Sequence, residues 1–286
     1  MNTQEIINLF KLFMAAQGVE PPDIIVADGE LHRFKVNGKL AYAYVLHLDG
    51  TPAGFFQDFR NGIKATWKHT SNKDVRPYTP AERRAYAIKC QAAEQQRLAA
   101  EAVKHQNAAH EAAKIWQGAP PAITHPYLTK KSIQPHGSRL YGGQALILPL
   151  YDASLRLMSL QFINLDGSKR FLKFGQKRGC YWWVGQKTEK VLIAEGFATV
   201  ATLHESTGYQ CFIAWDAGNL TSVAELIRAK KQNAEIVICA DNDASGVGQR
   251  EAEKAALAID GLITMPPEPG TDFNDFAVKN GVFKNG

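Results

Sequence analysis

The 286-residue chain contains only four cysteines, Cys90, Cys180, Cys211 and Cys239, and none stands in a CxxC pair or near a suitably spaced histidine. That scatter excludes a zinc ribbon and offers no disulfide framework. Cys211 and Cys239 fall in apolar stretches and read as small core residues. The eight histidines form no HExxH-like cluster. No apolar run approaches the ~18 residues that cross a bilayer. The opening MNTQEIINLFKLFMAAQG is too polar for a secretory h-region. These absences predict a cytoplasmic protein with no membrane partner. Glycine and proline are missing over residues 81–116, where alanine dominates. With Thr79 as a cap, Pro80 in the first turn and Glu82 three residues after the cap, that stretch predicts one long connecting helix over 79–118, with a break near residues 105–110. Gly118-Ala119-Pro120-Pro121 ends it and marks the main domain boundary.

What is present is unevenly distributed. Ten Lys/Arg stand against two acids in residues 120–188, so this stretch is +8 and the rest must be −3 in a chain of net +5. Such a stretch suits a nucleic-acid partner, and equally a solvated basic face. Residues 1–78 read as a short helix followed by a four-stranded meander: HRFKVN, AYAYVLHL, AGFFQDF and IKATWKH alternate apolar and polar positions. Turns fall at Asn37-Gly38, Asp49-Gly50 and Asn61-Gly62. Residues 119–188 offer a helical HPYLTKKS, then strands ALILPLY, RLMSLQFIN and KRFLKF. From residue 189, strands VLIA, YQCFIAW, EIVICA and LITMPP alternate with helical segments, the pattern of a parallel doubly wound α/β sheet.

Acidic residues stand where those strands end. Glu195 follows VLIA, Asp241 and Asp243 follow EIVICA, and Asp272 and Asp275 lie in GTDFNDF. Carboxylates at the C-terminal rim of a parallel sheet occupy the place where such folds build their sites. Several together repel unless cations sit among them, which points to hard divalent metals and phosphate chemistry. Each acid also has a plainer reading. Glu195 suits a helix N-terminus, an Asx turn with a helix cap explains one of Asp241 and Asp243, and Asp-rich loops such as GTDFNDF are common. Asp241 and Asp243 are alternate residues of an extended segment and face one way, with Asn242 turned elsewhere and the amides of 244–248 free to meet phosphate.

In this order, the three acidic motifs resemble the TOPRIM domain, shared by bacterial-type primases, type IA and type II topoisomerases and OLD-type nucleases. ADNDASGVGQREAEKA and GTDFNDF look closest to primases of plasmids and phages. The resemblance implies a metal site of Glu195, Asp241 and Asp243, with Glu195 a ligand or general base. It adds Asp272, Asp275 and Asn274, the last standing where replicative primases usually carry an acid. Upstream, HPYLTKKSI and ALILPLYDASLRLMSLQFINLDGSKRFLKF resemble the basic N-terminal half of a primase core. On that basis Lys169, Arg170 and Lys173 become candidate phosphate contacts, with Lys131 and Arg139 beside them. Tyr181-Trp182-Trp183 suits either base stacking or a core strand. The family's usual zinc ribbon is missing, because no cysteine precedes Cys90.

The resemblance therefore implies a mixed α/β chain: a β-rich module (1–78), the helix (79–118), a basic primase-core subdomain (119–188) and a TOPRIM domain (189–286). It further implies a DNA primase of the bacterial cytoplasm using two or more Mg²⁺ or Mn²⁺ ions. Its partners would be single-stranded DNA, nucleoside triphosphates and a replicative helicase or replication initiator. A TOPRIM nuclease and a non-catalytic single-strand DNA-binding protein remain open on the same residues.

Overall fold

The structure, a computed structural model, describes residues 2–36, 38–69, 80–244 and 246–281. The proposed cap Thr79, the turn residue Asn37 and Ser245 lie outside the described residues. The chain divides into two compact units, Met1–Ala87 and Ile88–Gly286. Among the described residues, no helix is long and apolar enough to cross a membrane.

In the first unit a helix, α1 (Thr3–Ala16), precedes an antiparallel meander of β1 (His32–Val36), β2 (Lys39–His47), β3 (Ala53–Asp58) and β4 (Ile63–Lys68). A reciprocal cap opens α1: Asn2 accepts from the Glu5 amide and Glu5 from the Asn2 amide, each at 2.9 Å. Phe10 and Met14 of α1 are fully buried with Tyr44, Leu46 and Phe56 of the sheet. The Phe10 ring fits because residue 54 is glycine, where a Cβ would come within 2.6 Å of it.

The long helix, α2 (Pro80–Gly118), is continuous, without the expected break near residues 105–110. Within the second unit its Ala108 and Ala112 pack against Ile147, Leu160 and Phe162. The small side chains that weaken a coiled-coil seam here let a helix lie close on a sheet. That packing joins residues 88–118 to the sheet of residues 139–171, so the chain divides near residue 87 rather than at 118.

The second unit holds a short helix, α3 (Pro126–Lys131), and an antiparallel sheet of β5 (Arg139–Tyr141), β6 (Ala145–Tyr151), β7 (Leu157–Ile163) and β8 (Lys169–Phe171). Alternate residues of β6 serve both faces: Ala145 and Ile147 meet α2, while Leu146, Leu148 and Leu150 join a core shared with the C-terminal sheet. Residues 119–188 and 189–286 differ in charge yet are packed together by this shared core.

The C-terminal sheet comprises β9 (Trp182–Val184), β10 (Lys190–Ala194), β11 (Gln210–Ile213), β12 (Glu235–Cys239) and β13 (Leu262–Thr264), in the order β13-β12-β10-β11-β9. Four strands are parallel; β9 runs antiparallel on the edge and begins before residue 189. Helices α4 (Phe197–Thr207), α5 (Leu220–Lys230) and α6 (Val247–Ala258) follow β10, β11 and β12, and α7 (Phe273–Asn280) follows β13. Leu192, Ala194, Val237 and Cys239 face the core containing α4 residues, whereas Val191, Ile193, Ile236 and Ile238 face α5 and α6. Burial on both faces is why these strands read as unbroken apolar runs. Tyr181 and Trp182 are buried on opposite faces of β9, with Trp182 stacked on Phe197 at 6.0 Å. These two aromatics are core rather than a platform for bases.

Arg139 belongs to this scaffold as well. Its Nη1 donates to the Trp116 carbonyl at 2.7 Å, and its guanidinium lies 4.7 Å from the Trp116 ring centre. It binds the end of α2 instead of facing the acids. Arg139→Ala is therefore expected to lower Tm by a few degrees, about 1 kcal/mol for one lost charge-assisted bond and stacking contact, and to leave nucleotide affinity unchanged by titration.

Candidate active site

The site grows from the strand order. β10 and β12 are parallel neighbours, with Ala194 paired to Cys239. The chain leaves β10 for β11 on one side, and leaves β12 for β13 on the other. This reversal opens a crevice at the carboxyl ends of the two strands. Glu195 follows β10 directly, and Asp241 follows β12 after Ala240. The third acidic loop is drawn in by the backbone: the Asn242 amide donates to the Thr271 carbonyl at 3.0 Å, and its side chain donates to the Pro266 carbonyl at 3.0 Å. Asn242 thus points away from the crevice and ties its two acidic neighbours to the loop carrying Asp272.

Glu195, Asp241 and Asp272 line one cavity of about 190 Å³ together with Lys169, Lys131 and Tyr127. Asp243 is not among the residues that line it. A Cβ on Gly248 would lie 3.0 Å from Asp243 Oδ2 and 3.4 Å from Glu195 Oε1, so the bare first turn of α6 brings these carboxylates to one place. Asp243 also caps α6, accepting from the Gly246 amide at 2.9 Å and the Gly248 amide at 3.3 Å. Those amides therefore bind an aspartate, not a phosphate. Among the described residues Asp241 caps no helix, and its Oδ1 is buried without a hydrogen-bond partner.

Electrostatics follow from this crowding. Burial, then Asp241, Asp216 and Asp243, push the Glu195 carboxyl up to about 7, against the bonded Ala217 amide. Burial, then Asp272 and Asp243, raise Asp241 to about 6, with Lys169 opposing. Lys169 is an exposed residue whose ammonium lies 5.6 Å from the Tyr127 ring centre. Desolvation there and neighbouring Lys131 lower its pKa, while Asp272 and Asp241 act to keep it charged.

Other candidates lie elsewhere. Asp272 lines the cavity but also caps α7, accepting from the Asp275 amide at 2.7 Å. Asp275 pairs with Lys131 at 2.6 Å, outside the cavity lining. Arg170 packs 4.1 Å from the Phe162 ring centre and Lys173 4.9 Å from that of Phe174, both exposed and outside the cavity. Asn274 is 1% exposed and donates to the Lys131 carbonyl at 2.7 Å and to Thr202 Oγ1 at 2.8 Å. A carboxylate cannot donate to that carbonyl, which gives a physical reason for an amide at this position. Asn274→Ala and Asn274→Asp are each expected to cost about 2 kcal/mol, lowering Tm by about 4–8 °C in thermal melts.

Asp216, Trp215, Thr199, Gln161 and Tyr127 were not singled out by the motifs. Asp216 was open to detection, since it follows the apolar β11 as Glu195 follows β10. It is ion-paired with Lys177.

Among the described residues, no three Asp, Glu, His or Cys side chains are gathered closely enough to hold an ion unaided. Magnesium binds through one or two carboxylates and completes its shell with water and substrate phosphates. The partnerless Asp241 oxygen and the all-carboxylate donor set fit an open site of that kind.

Switch-point carboxylates beside a lysine-bearing antiparallel sheet make this unit an α/β protein with an acidic site at the carboxyl rim of its parallel strands. Residues 190–282 match the family described as the Toprim domain, and that segment is a Toprim domain. The chain is homologous to proteins named DNA primase TraC from Escherichia coli. One is 35% identical over 267 residues, covering 84% of this chain and 24% of the relative. Another is 33% identical over 275 residues, covering 88% and 18%. The chain thus spans a quarter or less of the length of these curated relatives. Similar solved structures include the primase fragment of the bacteriophage T7 primase-helicase protein, with TM-score 0.45 and 17% identity over 58% of this chain and 77% of that one. The DnaG primase catalytic domain bound to ssDNA has TM-score 0.45 and 14% identity over 63% and 77%.

Proposed function

We propose that this chain carries the catalytic centre of a DNA primase, joining nucleotides into short primers on a single-stranded DNA template. One observation carries the reading: three separate acidic motifs and Lys169 converge on a single cavity at the sheet's switch point. Homology to primases named TraC supports it. Toprim primases generally use divalent metal ions. Asp241 and Asp243 are the proposed holders of one ion, and Asp272 of a second. Two Mg²⁺ or Mn²⁺ ions, when bound, would neutralise the triphosphate and ease ionisation of the attacking 3′-hydroxyl.

The chain's own groups do the rest. Glu195, with its pKa held near 7, suits accepting that hydroxyl proton at neutral pH. Lys169 and Lys131 face the cavity and supply positive charge for phosphate oxygens. Strand β8 and helix α3 hold these lysines against the acidic rim, which orients the nucleotide's phosphates toward the carboxylates. A replicative helicase or replication initiator as a further partner rests on the family resemblance.

The test combines purified protein, single-stranded template and labelled nucleoside triphosphates, with and without Mg²⁺ or Mn²⁺. Short template-dependent oligomers that require the ion are expected. Cleaved template would identify a nuclease instead. Binding without either product would leave a single-strand DNA-binding protein.

A further inference from the structure

Two of the residues lining the cavity, Tyr127 and Trp215, are 3% and 6% exposed, and among the described residues neither the Tyr127 hydroxyl nor the Trp215 indole N–H has a hydrogen-bond partner. Buried polar groups are almost always partnered, and a partnerless one is a cost to the fold. The two residues that carry these groups line one cavity together with Asp241, whose Oδ1 is likewise buried without a partner among the described residues. Trp215 carries a second sign of constraint. It is a non-glycine residue at φ 76°, between β11 and the turn containing Asp216, a conformation that costs about 1 kcal/mol or more and persists where the surroundings enforce it.

The chemistry of the missing partner can be read from these groups. An indole N–H only donates, and a phenol hydroxyl can donate, so both can donate to a ligand oxygen. Lys169 and Lys131 also line this cavity and favour an anion. Glu195, Asp241 and Asp272 would repel a bare anion, so the anion must bring cations with it. At about 190 Å³ the cavity is smaller than the ~300 Å³ of ordinary small-molecule sites and suits a phosphate chain better than a whole nucleotide.

We propose that Trp215 Nε1 and Tyr127 Oη donate to the polyphosphate oxygens of the incoming nucleotide. This assignment rests on the primase reading for its substrate, but its test does not depend on polymerisation. The groups fix where the phosphates sit, and they compensate no charge. They are positioning donors alongside the lysines.

The test is calorimetric titration of inorganic triphosphate with Mg²⁺ into wild type, Trp215→Phe and Tyr127→Phe, with thermal melts of each ligand-free protein. Each variant deletes one donor and keeps a ring. Triphosphate affinity is expected to fall about tenfold in each, with Tm unchanged or raised and affinity for a single-stranded oligonucleotide unchanged. Should Trp215→Phe lose its fold, Tyr127→Phe carries the test by itself. Unchanged triphosphate binding overturns the proposal, and so does a wild type that binds no triphosphate. Weakened oligonucleotide binding with intact triphosphate binding also overturns it, by pointing to template. Primer synthesis by wild type is scored separately. Primers with unaltered triphosphate binding in both variants sink this inference alone, whereas weakened binding without primers sinks the primase reading alone.

Discussion

Asp241→Asn should reduce primer synthesis on the order of 100-fold or more, and at the same time raise the melting temperature of the metal-free protein. The two effects share one cause. Asp241 is half-buried among Asp272, Asp243 and Asp275, with Lys169 as the opposing charge, and its Oδ1 has no partner among the described residues. Its charged form is disfavoured in the fold, so a neutral amide of the same shape relieves repulsion. The relief is about 1 kcal/mol, which corresponds to about 2–4 °C for a domain of this size. The same charge is what a divalent ion needs, so the stabilised variant loses the group that holds it. Template-dependent primer assays and calorimetric melts check both arms. A variant that melts lower than wild type while still making primers would show that Asp241 serves the fold and not the chemistry.

The second large effect is on pH. Glu195 and Asp241 have folded-state pKa values raised to about 7 and about 6, above the usual carboxylate range, by burial first and neighbouring acids second. The native state therefore holds more protons than the unfolded chain between about pH 4 and pH 7. Stability of the metal-free protein falls as pH rises through that window, opposite to an acid whose folded pKa is depressed. Divalent ions bind the ionised carboxylates, so their apparent affinity should increase over the same range and level off above about pH 7. Between pH 5 and pH 7 a gain of about 10- to 100-fold is expected. Melts with and without Mg²⁺ at these pH values measure both trends. Flat metal affinity across the window would mean that neither carboxylate is a ligand.

Much of the acidic half was legible in the chain, for a physical reason. A parallel sheet covered on both faces needs unbroken apolar strands, so Ile236 to Cys239 and Val191 to Ala194 announce themselves, and the acids after them mark its rim. The three-residue strands β5 and β9 are too short for any period to register. Asp216 belongs to none of the three acidic motifs that carry the family resemblance, although the strand before it is readable in the sequence.

The basic half shows where local pattern stops. Lys131, Arg139, Lys169, Arg170 and Lys173 look alike as charges in sequence, yet Arg139 closes a helix end, Lys131 pairs with Asp275, Arg170 and Lys173 lie over rings, and Lys169 reaches the cavity beside Asp241. Charge says that a residue seeks an anion, not which one lies within reach. The proposed donors Tyr127 and Trp215 show the same boundary, since each reads as an ordinary core aromatic until it is found lining the acids' cavity with a polar atom that has no partner among the described residues. The sequence alone determined the element types, the doubly wound order and the carboxylates of the rim, because these depend on periodicity and on the residues directly after each buried strand. Only tertiary structure decided which lysines face those carboxylates, that Asp243 caps a helix while Asp241 remains unpartnered, and that Asn274 braces the loop, because these depend on contacts between residues up to 144 positions apart.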